Sequence, residues 1–148
     1  RVDATILAAA GLERLDIVPP RAIVLQPDQW LPAPGQGTIT VQQRAGDTAT
    51  ARLLAPLTCA TTTAQARAER EVVRVLGGDC RMPLAVHAWV NRDQILLRAR
   101  LGDESGRLID AEAEGPSNRA LEIGGTAAQQ LLDDGGTALL ERLNMSPK

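Results

Sequence analysis

A chain of 148 residues, 44% hydrophobic and 23% charged, has the balance of a globular protein and not of a disordered or membrane-embedded one. Its net charge of -2, with Trp30 and Trp89 as the only aromatic side chains besides one histidine, excludes a basic, base-stacking nucleic-acid surface. No run nears the roughly 20 apolar residues of a membrane span, the N-terminus lacks the regions of a signal peptide, and a reducing cytoplasmic setting is expected. Every basic residue is Arg except Lys148. Arg presents a planar fork that grips carboxylates in pairs, so this bias suits a carboxylate-rich ligand, although a genomic or thermal preference for Arg gives the same composition. Two cysteines, Cys59 and Cys80, are too few for a disulfide framework or a zinc site. A start at Arg1 without Met, running at once into apolar residues, predicts a fragment or processed product.

Taken in chain order, residues 3–15 predict a short buried strand, Ala4 to Ala8, turning at Gly11 into a helical turn that carries Glu13 and Arg14. Residues 16–37 hold Pro19, Pro20, Pro27, Pro32 and Pro34 and end in PAPGQG. That spacing forbids a long helix and predicts a connector or hinge. TITVQQ at 38–43 alternates as a strand, and Asp47 is a good N-cap for a helix through ARLLAPL. Thr61 to Thr63 predict a cap for a helix reaching Leu76, with Ala64, Ala68, Val72, Val75 and Leu76 on one face and Gly77 and Gly78 ending it.

Three strands follow: 84–90, 95–101 and 107–113. Leu84, Val86, Ala88 and Val90, then Ile95, Leu97, Ala99 and Leu101, then Ile109, Ala111 and Ala113 each share a face. The connectors NRDQ and GDESG are too short for parallel crossovers, so the expected sheet is an antiparallel meander, with Arg98 and Arg100 facing Asp110 and Glu112. Pro116 with a Ser117 or Asn118 cap opens a helix through Ala120, Leu121, Gly124, Ala127, Ala128, Leu131 and Leu132. Gly135 and Gly136 break it before a last short helix with Leu139, Leu140 and Leu143. The expected fold is α+β, a three-stranded antiparallel sheet with helices over 60–148, preceded by partial segments of two α/β domains.

For chemistry, GGDCRMP places Cys80 in a tight loop between helix-ending glycines and a strand, a good mount for a reactive side chain and equally a place for a small buried thiol. Arg81 favours its thiolate, while Asp79 and the helix C-terminus disfavour it. His87, the only histidine, shares a strand face with Trp89; a Cys–His pair is conceivable, but no other member of a triad is visible, and a partly exposed strand histidine is the simpler reading. Arg67, Glu69, Arg70 and Arg74 read as a charged, solvated helix stripe. The glycines of PGQG fit neither a P-loop nor a dinucleotide fingerprint.

Four segments, AGLERL at 10–15, LPAPGQG at 31–37, AER at 68–70 and GGDCRMP at 77–83, in this order and spacing, resemble the C-terminal half of the porphobilinogen deaminase (hydroxymethylbilane synthase) family. The resemblance implies a tetrapyrrole-biosynthesis transferase that joins four porphobilinogen units to a covalent dipyrromethane and releases hydroxymethylbilane. It implies that Cys80 holds this cofactor through a thioether, that Arg14 binds pyrrole carboxylates, and that Gln36 is the hinge glutamine. Such an anchor suits a soft thiolate, and the acetate and propionate groups of a growing chain suit Arg. It further implies that 1–31 ends the second domain, 32–59 is hinge and return to the first, and 60–148 is the cofactor-anchoring domain. The family's catalytic aspartate has no counterpart here, so the chain alone is expected to be inactive, its partners being porphobilinogen, the growing pyrrole chain and the N-terminal half of the enzyme. Unpaired edges at ATILA and TITVQQ make fragment self-association a further expectation. The alternatives are a non-catalytic α+β ligand-binding or interaction module, and a Cys-dependent redox protein, which lacks a CxxC motif.

Overall fold

The longest helix sets the frame. In a computed structural model that describes residues 2–79 and 81–143, α3 (Ala60–Leu76) buries Ala68, Glu69, Val72 and Leu76. It packs on a three-stranded sheet of β1 (Leu84–Asn91), β2 (Gln94–Gly102) and β3 (Leu108–Pro116), in the order β1-β2-β3. Both pairings are antiparallel, as the short connectors require. The inward face carries Leu84, Val86, Ala88, Ile95, Leu97, Ala99, Leu101, Ile109, Ala111 and Ala113, all buried. On the outward face Arg98 pairs with Glu112 and Arg100 with Asp110, each at 2.6 Å. These exposed pairs fix register more than they add stability, about 0.2–1 kcal/mol each.

The helix α4 (Ala120–Leu131) lies beside α3, and α5 (Thr137–Arg142) closes the core with Leu139 and Leu140. Close approach of α3 and α4 needs Gly124: a Cβ there would stand 2.3 Å from the Ala68 carbonyl oxygen and 2.8 Å from Glu71 Cβ. Between α4 and α5 the backbone kinks at Gly135, whose φ of 106° is open only to glycine. The predicted break at Gly135 and Gly136 is therefore a kink and not a gap in the helix.

Details at the helix starts differ from expectation. The helix α3 begins one residue before the predicted threonines, with Cys59 at the N-cap and no side-chain cap; Thr63 Oγ1 instead donates to the Cys59 carbonyl at 2.8 Å. Ser117 and Asn118 form a 3-10 turn without a side-chain cap, and the Ser117 N–H donates to the Asp93 carbonyl at 2.8 Å. Leu121 is exposed, and Ile123 takes the core position expected of it.

The remainder of the chain is mostly coil. Two compact units divide the whole, Arg1–Trp30 and Leu31–Lys148. The first contains α1 (Ala9–Arg14); the second adds α2 (Thr48–Leu54), whose Asp47 N-cap accepts from the Thr50 N–H at 3.0 Å. The two strands expected at 4–8 and 38–43 do not form, and Ile6, Leu7, Ile39 and Val41 are exposed, not buried. A strand is stabilised by ladder partners, and neither segment has one among the described residues.

Candidate functional site

The loop of interest leaves α3 through Gly77, which sits at φ 69° and ψ 23°. Left-handed backbone there lets the Gly78 N–H reach the Val73 carbonyl at 2.9 Å and satisfies the helix end. Downstream, the Met82 N–H donates to the Asp79 carbonyl at 3.1 Å, and the Leu84 N–H donates to the Met82 carbonyl at 2.8 Å. Met82 is buried against the core. Cys80 itself lies outside the described residues; both flanks of position 80 are tied down by these bonds. Asp79 and Arg81 answer the question of competing charges by meeting each other: Asp79 accepts from the Arg81 N–H at 2.8 Å and from its Nη2 at 2.7 Å. The guanidinium contact is the main cause that holds the Asp79 carboxyl below its ordinary range. Each charge thus offsets the other near position 80.

Gln36 occupies a double turn. The Gln36 N–H donates to the Ala33 carbonyl and the Thr38 N–H to the Gly35 carbonyl, both at 3.0 Å. Gly35 and Gly37 adopt φ of 74° and 80°, so the PGQG glycines serve alternate left-handed positions. The Gln36 side chain is exposed at the turn. Pro34 and Gly35 of this turn and Gly77 and Gly78 at the root of the 77–83 loop line one cleft of about 480 Å³, together with Arg70 and Arg74. The structure therefore brings the Gln36 turn and the loop of position 80 to one region of the second unit.

Arg14 belongs to the first unit. It ends α1, where Asp16 at φ 53° and the Ile17 N–H donating to the Leu12 carbonyl at 2.9 Å close the helix. Its guanidinium is exposed, and among the described residues no carboxylate pairs with it. An exposed, uncommitted guanidinium fits an external carboxylate. Cys59 is an exposed free thiol at the start of α3. The Thr62 hydroxyl, followed by the Thr62 backbone N–H, holds it below the ordinary thiol range.

One residue expected on a solvated stripe is in fact central. Arg67, Arg70 and Arg74 line the outer side of α3, but Glu69 is 5% exposed. Its Oε1 accepts from the Ala88 N–H at 2.9 Å and its Oε2 from the Gly35 N–H at 2.7 Å. One turn earlier on α3, Gln65 Nε2 donates to the Ala88 carbonyl at 2.8 Å. The signal was present in the spacing: 65, 69, 72 and 76 form one row of the helix, and two of its members are the apolar Val72 and Leu76. His87 stands edge-on to Trp89 with ring centroids 4.5 Å apart, and its Nδ1 is 3.6 Å from Glu69 Oε1.

No described helix is long and apolar enough to cross a membrane. Among the described residues no group of three or more His, Cys, Asp or Glu side chains is arranged to hold a metal ion.

Two family models match the chain. One, described as porphobilinogen deaminase, C-terminal domain, matches residues 63–133 and so contains position 80. The other, described as porphobilinogen deaminase, dipyromethane cofactor binding domain, matches residues 1–52 and so contains Arg14 and Gln36. Curated relatives named porphobilinogen deaminase include that of Bordetella parapertussis, 43% identical over 141 residues, covering 95% of this chain and 45% of the relative. Those of Stenotrophomonas maltophilia, 44% identical over 139 residues, and Roseiflexus castenholzii, 41% over 138, each cover 93% of this chain and 46% of the relative. The chain spans about half the length of the curated relatives it matches.

Proposed function

This chain belongs to the porphobilinogen deaminase family, and from that premise we propose that it is the C-terminal part of a cytoplasmic transferase that builds hydroxymethylbilane from four porphobilinogen units. The observation that carries this reading is the GGDCRMP loop, fixed on both flanks between α3 and β1 and adjoining the Gln36 turn across one cleft. Residues 1–31 then end the second domain, 32–59 form the hinge and the return to the first, and 60–148 anchor the cofactor.

Three groups of this chain have chemistry that fits a dipyrromethane: the thiol of Cys80, the uncommitted guanidinium of Arg14 and the exposed amide of Gln36. When bound, the dipyrromethane supplies the pyrrole to which porphobilinogen units are joined. Cys80 acts as an anchor that keeps the chain attached through successive additions, and not as a nucleophile that turns over. Arg14 grips acetate or propionate carboxylates by charge-assisted hydrogen bonds. Gln36 donates or accepts at the edge of the turn. The acid that stabilises developing positive charge on pyrrole nitrogen belongs to the N-terminal part of the enzyme, so this chain alone is inactive toward porphobilinogen.

Peptide mapping of the full-length protein tests the assignment. A pyrrole adduct resistant to thiol reductants is expected on the peptide holding Cys80, and Cys80→Ser should abolish it, because a protonated hydroxyl is a far weaker nucleophile than a thiolate. Cys59→Ser should leave it intact. An adduct on Cys59, or one that survives Cys80→Ser, would remove the anchor from this reading.

A further inference from the structure

The free edge of β1 is closed in an unusual way. Antiparallel pairing with β2 leaves alternate N–H groups of β1 pointing away from the sheet, and three of them find different acceptors: Leu84 the Met82 carbonyl, Val86 the Pro32 carbonyl at 2.9 Å, Ala88 the Glu69 carboxylate. The PAPGQG segment thus runs along the edge where a fourth strand would lie, attached by Pro32 at one end and by Gly35, through Glu69 Oε2, at the other. The two carboxylate oxygens each accept one backbone N–H, from segments 34 and 19 residues away in sequence, so both donors are satisfied by one acceptor-only group. A glutamine has one such oxygen and would turn an NH₂ against the other N–H.

We propose that Glu69 is a positioning residue that locks the Gln36 turn onto the edge of β1, so that Gln36 is presented by the cofactor-anchoring domain as a rigid part of it and not by a freely moving linker. This rests on the reading of Gln36 as a group that meets the pyrrole chain. Glu69 cannot meet that chain itself, being enclosed by α3, β1 and the turn. Its effect passes through the turn: with Gly35 pinned, the alternate left-handed glycines hold Gln36 at one orientation on a turn whose Pro34 and Gly35 line the cleft shared with Gly77 and Gly78. Loss of the lock costs preorganisation at each addition, without removing any group that contacts substrate.

Amide-resolved hydrogen exchange on the full-length, cofactor-loaded enzyme tests the lock without reference to activity. In the wild type the Gly35 amide should exchange about as slowly as the Ala88 amide, since one carboxylate holds both, although Gly35 lies in a turn. Exchange of Gly35 at the rate of an open loop would overturn the lock. In Glu69→Gln the amides of 35–38 should exchange about tenfold faster or more, while those of β2 keep their protection. Turnover measured well below the variant's Tm should fall severalfold, and Glu69→Gln should add little to the loss caused by Gln36→Ala, because the two act on one step. Faster exchange with unchanged turnover, or additive losses, would leave Glu69 a purely structural residue. A wild-type protein that makes no tetrapyrrole yet protects Gly35 would sink the family reading of the activity and leave the lock standing.

Discussion

Two segments with the same alternating pattern ended in opposite environments. In β2, Ile95, Leu97 and Leu101 are fully buried, whereas Ile39 in TITVQQ is 92% exposed and Val41 lies open beside it. The difference is not in propensity, since both carry β-branched or aliphatic residues at every second position. It lies in partners: β2 has a ladder on each side and two helices over one face, while 38–43 has neither. Alternation specifies which side of a strand is apolar, and only a neighbour makes it a strand.

Substitutions at the two places should separate by the largest margin. Leu97→Ala removes a fully buried side chain between α3, α4 and the sheet and should cost about 2–5 kcal/mol in this chain. Ile39→Ser should fall within about 0.5 kcal/mol. Chemical denaturation of both variants measures this. In the full-length protein, where 32–59 is proposed to form the hinge and the return to the first domain, Ile39→Ser should cost about 1.5–3 kcal/mol, the worth of a buried Ile. An equally small cost in both contexts would mean that nothing covers this segment.

A comparable contrast sets Arg14 against the paired arginines of the sheet. Arg98 and Arg100 are committed to Glu112 and Asp110, while Arg14 has no carboxylate partner among the described residues. In the full-length enzyme Arg14→Leu should weaken pyrrole chain elongation by roughly 1.5–3 kcal/mol, the worth of a charge-assisted hydrogen bond, and leave Tm nearly unchanged. Arg98→Leu should leave elongation unchanged and cost no more than the roughly 0.2–1 kcal/mol of its exposed pair. Turnover with porphobilinogen beside a thermal melt distinguishes the roles; a large loss of Tm with normal turnover would make Arg14 structural.

Neighbouring glycines of α4 allow the same test inside the core. Gly124→Ala forces a Cβ against the Ala68 carbonyl and should lower stability by about 1–3 kcal/mol, more than the gain of up to about 1 kcal/mol from helix propensity. At Gly125 nothing lies within 4 Å of an added Cβ, so Gly125→Ala should stabilise by up to about that gain. Effects of the same sign in both would contradict the close approach of α3 and α4.

The regular part of the fold was legible because its signals are local. Ile95, Leu97 and Leu101 alternate, the connectors exclude parallel crossovers, and Arg98 and Arg100 name their partners by register. The candidate site was inferred from motifs and not from geometry. Cys80, Arg14 and Gln36 came from resemblance, since no spacing rule assigns a pyrrole carboxylate to an arginine or a thioether to a loop cysteine. Glu69 was missed because charge on a helix reads as solvated; what buries it is a pair of backbone donors distant in sequence. The strands at 4–8 and 38–43 failed for the converse reason, a clear local pattern without the distant partner.

The smallest expected effect concerns the two cysteines. Cys59 is exposed, and its thiol is pushed below the ordinary range first by the Thr62 hydroxyl and then by the Thr62 N–H. A lowered value means more thiolate at neutral pH and faster alkylation there than for an unperturbed exposed thiol. Thr62→Val removes the hydroxyl donor and keeps the backbone one, so the value should rise part of the way back toward that of a free thiol. Alkylation of Cys59 should then slow severalfold near pH 7 and match the wild type once the pH exceeds both values, where each thiol is fully ionised. Peptide-resolved labelling across that range reads the shift directly. The same change should leave the adduct proposed for Cys80 untouched, because a thiolate at the start of α3 is reactive without being an anchor; a Thr62→Val enzyme that fails to carry the proposed adduct would tie the two cysteines together and blunt the distinction between them.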